Sequence, residues 1–290
     1  MTLEFDRLPA PFGVAAYGLD IQRGVSTDEF EALVGAVYEH RLVVIKGQHC
    51  DKDSYLEFGR RWGEPLEHVL DHLRMPGYPE MLVLGNTETK DREDAVRNGA
   101  AYWHTDQSYT ANPVAFTMLY SRSAPLEGGA TLLADMGAAY DALDDETQRR
   151  LEGLMVVHLR GGGSLSGDEH VTVPFKDTRQ AERVPAVTHP LVRAHPATGR
   201  KMLYAVAGTA MAIEGLEAQA GTALLEELKN HATSDRFTYA RKHEAGDIAI
   251  FDTNATLHAA TRIGVATGPH DARVVWRISV HGRPVAAERR

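Results

Sequence analysis

The stretch Arg273-Val274-Val275-Trp276-Arg277-Ile278-Ser279-Val280-His281 decides the fold. Its even positions, Val274, Trp276, Ile278 and Val280, are all apolar, whereas Arg273, Arg277, Ser279 and His281 share the odd face with Val275. A period of two is that of a β-strand whose two faces meet different surroundings. With the apolar face on a core layer, the two arginines project together into the opposite space, roughly 13 Å apart by strand rise. Two guanidiniums on one sheet face call for anions. A solvated sheet edge with surface ion pairs gives the same pattern.

Working back from this strand, residues 248–251 form a short apolar run after the Gly246-Asp247 turn, and residues 237–241 alternate. Runs at 12–20, 42–45, 81–84, 114–121, 187–194 and 200–206 also read as strands, the last two flanking a turn at residues 195–199. Helices are fewer. Ser26-x-x-Glu29 is a capping-box pattern opening a helix with Phe30, Leu33, Val34 and Val37 on one stripe, and a second amphipathic helix runs over 53–62. Alanine-rich helices follow residue 135, and a helix over 219–232 carries Leu224, Leu225 and Leu228. With no internal repeat or linker, the expected architecture is one domain over residues 1–290, mainly β with helices packed outside.

The chemistry-bearing residues stand at Tyr102-Trp103-His104-Thr105-Asp106. Alternate residues of an extended chain share a face, so His104 and Asp106 can enter one cavity. An imidazole and a carboxylate together suit a borderline cation that needs at least one more ligand. The same His-x-Asp spacing recurs at His49-Cys50-Asp51, where Asp51 precedes a helical pattern and is more simply an N-cap. His258 follows the 248–251 strand and precedes the arginine-bearing one. A lone histidine near a strand end is usually structural, but this position would set a metal beside a bound dicarboxylate. Gly161-Gly162-Gly163-Ser164-Leu165-Ser166-Gly167 lacks the Gly-Lys-Ser/Thr of a phosphate loop and reads as a lid or linker.

Taken together, Trp103-His104-Thr105-Asp106, Gly128-Gly129-Ala130-Thr131, Phe251-Asp252 leading to His258, and Arg273 with Arg277 resemble the iron(II)- and 2-oxoglutarate-dependent dioxygenases of the taurine dioxygenase and 2,4-dichlorophenoxyacetate dioxygenase family. The resemblance implies a double-stranded β-helix core, the jelly-roll of cupin-like proteins. It implies that His104, Asp106 and His258 form the metal-binding facial triad, and that Arg273 and Thr131 hold the distal carboxylate of 2-oxoglutarate. Arg277, with His68 and more weakly Asn86, matches positions that face an anionic substrate. The implied reaction consumes dioxygen and 2-oxoglutarate, releases succinate and carbon dioxide, and most simply hydroxylates a sulfonate or aryloxyalkanoate. Fragmentation after hydroxylation and desaturation stay open. Halogenation is disfavoured, because related halogenases lack the carboxylate that Asp106 supplies. Two departures touch the surroundings of the ligands: Phe251-Asp252-Thr253-Asn254 stands where Trp-Asp-Asn-Arg is common, and Ala130 where Asp is usual. The segment between His258 and Arg273 also carries an extra loop.

Bulk properties narrow the alternatives. A net charge of -9 over 290 residues, with no basic run, argues against a nucleic-acid surface. One cysteine, Cys50, excludes an intrachain disulfide and a cysteine-rich zinc cluster. Neither a leader pattern nor a membrane-spanning run is evident, so the expected location is the cytoplasm. Segments near 87–99 and 160–184 are expected to be mobile loops at the site, and the resemblance favours a homo-oligomer, a dimer or tetramer. Competing readings are the same oxygenase chemistry on an amino acid or natural-product intermediate, a zinc hydrolase on the same three ligands, and a non-catalytic ligand-binding barrel.

Overall fold

Alternation along single strands builds the layers of this protein, whose computed structural model describes residues 2–161, 175 and 178–283. In the strand Leu42–Ile45, Leu42 and Val44 point to one side of the sheet and Val43 and Ile45 to the other, and all four are buried. Such a strand has to be covered on both faces. It belongs to an eight-stranded sheet in the order Glu4–Arg7, Val14–Tyr17, Leu42–Ile45, Ile248–Asp252, Phe116–Ser123, Val274–Val280, Tyr78–Gly85 and Arg74–Met75. Ile248–Asp252, late in the chain, is thus held antiparallel between two early strands.

The helices Thr27–His40 and Lys52–Trp62 cover the outer face. Phe30, Leu33, Val37, Tyr55, Phe58 and Trp62 pack there with Val43, Ile45, Met118, Ile250, Ile278 and Val280. Each large side chain fully removed from water contributes about 1.5–3 kcal/mol. The first helix opens on the expected capping box, with Ser26 Oγ accepting from Glu29 N and Glu29 reaching back to Ser26 N. The second is capped by Asp51, whose carboxylate accepts from Ser54 N at 2.8 Å, so the His49-x-Asp51 pair is a helix start.

Across the inner face lies a three-stranded sheet of Thr238–Arg241, Thr131–Asp135 and Thr256–Ala260. Leu133 from this sheet joins Leu42, Val44, Leu119, Ala249, Phe251 and Val275 from the large one in a common cluster between the two. Its outer side, with Ala134 and Leu257, packs with Leu225 and Leu228 of the helix Ala218–Ala232. A further three-stranded sheet (Ala210–Ile213, Met155–His158, Val187–Pro190) and the hairpin Val192–Ala194/Lys201–Leu203 also belong to this mainly β jelly-roll with flanking helices.

Residues 87–99, read as a mobile cover, carry the helical turns Thr89–Arg92 and Asp94–Arg97. The second is tied down: Arg97 Nε and Asn98 Nδ2 donate to Ile263 O, and Ile263 N donates to Asn98 Oδ1. Hydrogen bonds that sequence patterns do not encode thus anchor this charged stretch. Apart from Gly161, the glycine-rich stretch at 161–167 lies outside the described residues, as does most of the 160–184 segment. No helix among the described residues is long and apolar enough to cross a membrane.

Candidate active site

His258 sits within the strand Thr256–Ala260, opposite Leu133 and therefore on the inner face of the small sheet. His104 is joined to it by an isolated antiparallel bridge, with His104 N to His258 O at 2.9 Å and His258 N to His104 O at 2.8 Å. The bridge brings the two imidazoles to 4.2 Å between ring centroids. After this single extended residue the chain turns at residues 106–109, where Gln107 takes φ 58°. The expectation of one strand carrying both His104 and Asp106 is therefore corrected: a bridge presents the histidine and a turn presents the carboxylate.

The outcome is convergence. His104 Nε2 lies 3.7 Å from Asp106 Oδ1 and His258 Nε2 lies 3.7 Å from Asp106 Oδ2. Ligand atoms of all three residues lie within 4.8 Å of one another. His104 Nδ1 is 2.8 Å from Tyr102 O, a contact that requires the proton on Nδ1 and leaves the Nε2 lone pair facing the cluster. Burial holds both imidazoles neutral, lowering His104 and pushing His258 down to about 3. Burial works to raise Asp106, but Arg277, the two histidines and the Thr117 hydroxyl outweigh it and hold the carboxyl well below the usual carboxylate range. Two neutral imidazoles and one carboxylate on a common centre are the donor set of a non-haem iron(II) site, so these residues fit that metal.

Close packing behind His104 fixes its ring. Gly208 has φ +74°, and a Cβ there would stand 2.7 Å from His104 Cβ and 3.2 Å from Trp103 O. Gly208→Ala is therefore expected to displace His104 and to weaken iron(II) binding about tenfold or more. Anaerobic metal titration of the variant checks this; undiminished affinity would show that the His104 backbone can shift without cost.

His104 and Asp106 open onto a cavity of about 140 Å³ lined also by His68, Arg273 and Arg277. Both arginines of the terminal strand thus reach one space, as the alternation predicts. Arg277 Nη2 pairs with Asp106 Oδ2 at 2.9 Å, and its Nε donates to Ser279 Oγ at 3.1 Å. His68 Nδ1 accepts from Leu70 N, which leaves Nε2 as its N–H donor, and burial, then Arg277 and Arg160, push its pKa down to about 3. Arg273 is buried, with its Cδ where a Cβ on Gly129 would approach to 3.0 Å. Thr131 is two residues beyond that glycine, buried outside the cavity lining, with Oγ1 3.0 Å from His243 Nε2.

Asn86 does not join them. Its Nδ2 donates to Gly264 O and Asp271 O, and its Oδ1 accepts from Arg273 N at 2.7 Å. The amide is consumed in pinning the 264–271 loop and the backbone of Arg273. An asparagine at a strand end looks the same in sequence whether it faces a ligand or a loop. Sequence reading also passed over Thr117, Arg160, Tyr102 and Tyr109. Thr117 supports Asp106 by a 2.8 Å hydrogen bond, and the others line the cavity. Alternation along 114–121 places Thr117 on the inner face with Leu119 and was the available signal for it.

Comparison with known proteins agrees with this geometry. Residues 4–279 match the family profile described as Taurine catabolism dioxygenase TauD, TfdA family. The alpha-ketoglutarate-dependent 2,4-dichlorophenoxyacetate dioxygenase of Cupriavidus pinatubonensis is 31% identical over 269 residues, covering 88% of this chain and 91% of that protein. The alpha-ketoglutarate-dependent sulfate ester dioxygenase of Pseudomonas putida is 29% identical over 298 residues, covering 99% and 93%. Among solved structures, AAD-2 in complex with Mn(II) and N-oxalylglycine superposes with a TM-score of 0.77 at 25% identity, covering 99% of this chain and 100% of that one. With the triad, the jelly-roll and these matches in agreement, the chain belongs to the TauD/TfdA family of 2-oxoglutarate-dependent dioxygenases, enzymes that use iron(II), 2-oxoglutarate and dioxygen.

Proposed function

We propose that this single dioxygenase domain oxidises, most simply by hydroxylation, a small anionic organic substrate such as a sulfonate or aryloxyalkanoate, releasing succinate and carbon dioxide from 2-oxoglutarate. The observation that carries the reading is that His104 and Asp106, clustered with His258, line one cavity with Arg273 and Arg277. The relatives that act on aryloxyalkanoates and sulfate esters support an anionic substrate.

His104, Asp106 and His258 would hold iron(II), which when bound would supply the activation of dioxygen. The chain's own residues position what reacts. Tyr102 O fixes the His104 tautomer so that the Nε2 lone pair is turned toward Asp106 and His258, and Thr117 and Arg277 keep Asp106 ionised. Arg273 offers a planar fork to the distal carboxylate of the keto acid, and Thr131, two residues from the Gly129 that faces the Arg273 stem, offers a hydroxyl. Arg277 and the neutral Nε2–H of His68 face the substrate anion. Leu70, Leu82 and Leu84 give the cavity an apolar wall for the organic part of the substrate.

Screening anionic substrates by succinate release and oxygen uptake tests the class. Arg277→Ala is expected to uncouple oxygen uptake from substrate oxidation while leaving 2-oxoglutarate affinity within about threefold. Equal loss of 2-oxoglutarate and substrate affinity in that variant would refute the division of labour between the arginines. The family resemblance further supports a cytoplasmic homo-oligomer, which light scattering on the purified chain tests.

A further inference from the structure

A buried imidazole outside the triad bridges the two sheets. His243 Nδ1 lies 2.7 Å from Ser121 Oγ, and its Nε2 lies 3.0 Å from Thr131 Oγ1. Ser121 belongs to the large sheet, opposite Val275 of the arginine-bearing strand, and Thr131 begins the central strand of the small sheet. All three residues are buried. Burial, then the charges of Arg273 and Arg241, push the His243 pKa down to about 3, so the ring is neutral. A neutral imidazole carries one N–H and one lone pair, and each hydroxyl has a single hydrogen to give.

Two arrangements satisfy these contacts, and they differ at Thr131. With the proton on Nδ1, Ser121 accepts and Thr131 spends its hydrogen on Nε2, turning an oxygen lone pair toward anything beyond. With the proton on Nε2, Ser121 donates to Nδ1, Nε2–H donates to Thr131 Oγ1, and the Thr131 hydrogen is left to point outward. Only the second arrangement suits a carboxylate, which accepts hydrogen bonds and is repelled by a lone pair.

We propose that His243 is a positioning residue for 2-oxoglutarate: as the Nε2–H tautomer it relays a donor chain from Ser121 to Thr131, so that the Thr131 hydroxyl presents its hydrogen to the distal carboxylate beside Arg273. The inference rests on the assignment of Thr131 and Arg273 to that carboxylate. It gives a role to a histidine that, in the stretch Arg241-Lys242-His243-Glu244, resembles a solvated charge run.

The test is a double-mutant cycle on the iron(II)-loaded enzyme, read as 2-oxoglutarate affinity from the anaerobic charge-transfer band and as KM against kcat. His243→Leu is expected to weaken 2-oxoglutarate binding about tenfold, the loss of one hydrogen bond to a charged group, with kcat at saturating co-substrate nearly unchanged. Thr131→Val alone is expected to cost as much, and the double variant no more than Thr131→Val. His243→Gln, whose amide can accept from Ser121 and donate to Thr131, is expected to recover most of the affinity. Thr131→Val binding 2-oxoglutarate like the parent would overturn the anchor assignment and the inference with it. A loss in Thr131→Val without one in His243→Leu, or strictly additive losses, would overturn the inference alone. Independently of any variant's folding, nitrogen NMR of the metal-free parent protein reads the His243 tautomer; a proton on Nδ1 would refute the relay.

Discussion

Alanine at His104 or at Asp106 is expected to leave a protein that neither retains iron(II) nor turns over 2-oxoglutarate. Each change removes one of three donors whose ligand atoms lie within 4.8 Å of one another, and two remaining donors do not hold a divalent ion against water. Loss of a hydrogen bond supporting a ligand costs roughly 10–100-fold in metal affinity, and loss of the ligand itself should exceed that. The two variants differ in stability. His104→Ala removes a neutral ring, whereas Asp106→Ala strands Arg277, whose guanidinium pairs with Asp106 Oδ2 at 2.9 Å in a largely buried setting. Removing one partner of a buried pair costs about 3–5 kcal/mol. Metal analysis after anaerobic loading, with denaturant titration of the metal-free proteins, separates the two effects. Undiminished turnover in either variant would refute the triad.

The legible part of this site was whatever depends on alternation and spacing. Leu42 and Val44 against Val43 and Ile45, or Arg273 and Arg277 against Trp276 and Ile278, sort onto faces because a strand has a fixed period. Capping at Ser26 and Asp51 was equally local. What escaped depends on contacts between residues far apart in the chain. The turn that swings Asp106 toward His258 passes through Gln107 at positive φ, and no glycine marks it. Asn86 bonds to backbone 178 and 185 residues away, which no local pattern encodes. His243 stands among charges in sequence, and only the closure of two sheets over Ser121 and Thr131 buries it. The zinc-hydrolase and binding-barrel readings give no reason for two arginines to share a cavity with His104 and Asp106, and the co-substrate chemistry does.

Arg273→Ala is expected to weaken 2-oxoglutarate binding by about 2–5 kcal/mol, the cost of leaving one member of a buried charge pair alone, which is at least about 30-fold in affinity. The structure places this side chain with little freedom. Its backbone N–H is held by Asn86 Oδ1 at 2.7 Å, and its stem runs where a Cβ on Gly129 would approach to 3.0 Å. A guanidinium held at its base enters the complex with less ordering to lose, so its truncation costs more than that of a surface arginine. Arg273→Lys keeps the charge and loses the fork, and an intermediate affinity is expected because an ammonium cannot meet both carboxylate oxygens in one plane. The effect should fall on KM for 2-oxoglutarate far more than on kcat at saturation, since the distal carboxylate is bound alike before and during the reaction. Arg277→Ala is the internal control: it reaches the same cavity from four residues further along the chain and should leave that KM nearly unmoved. A lysine variant as impaired as alanine would mean that geometry, more than charge, selects the keto acid. An alanine variant with unaltered KM would move the carboxylate anchor away from Arg273 altogether.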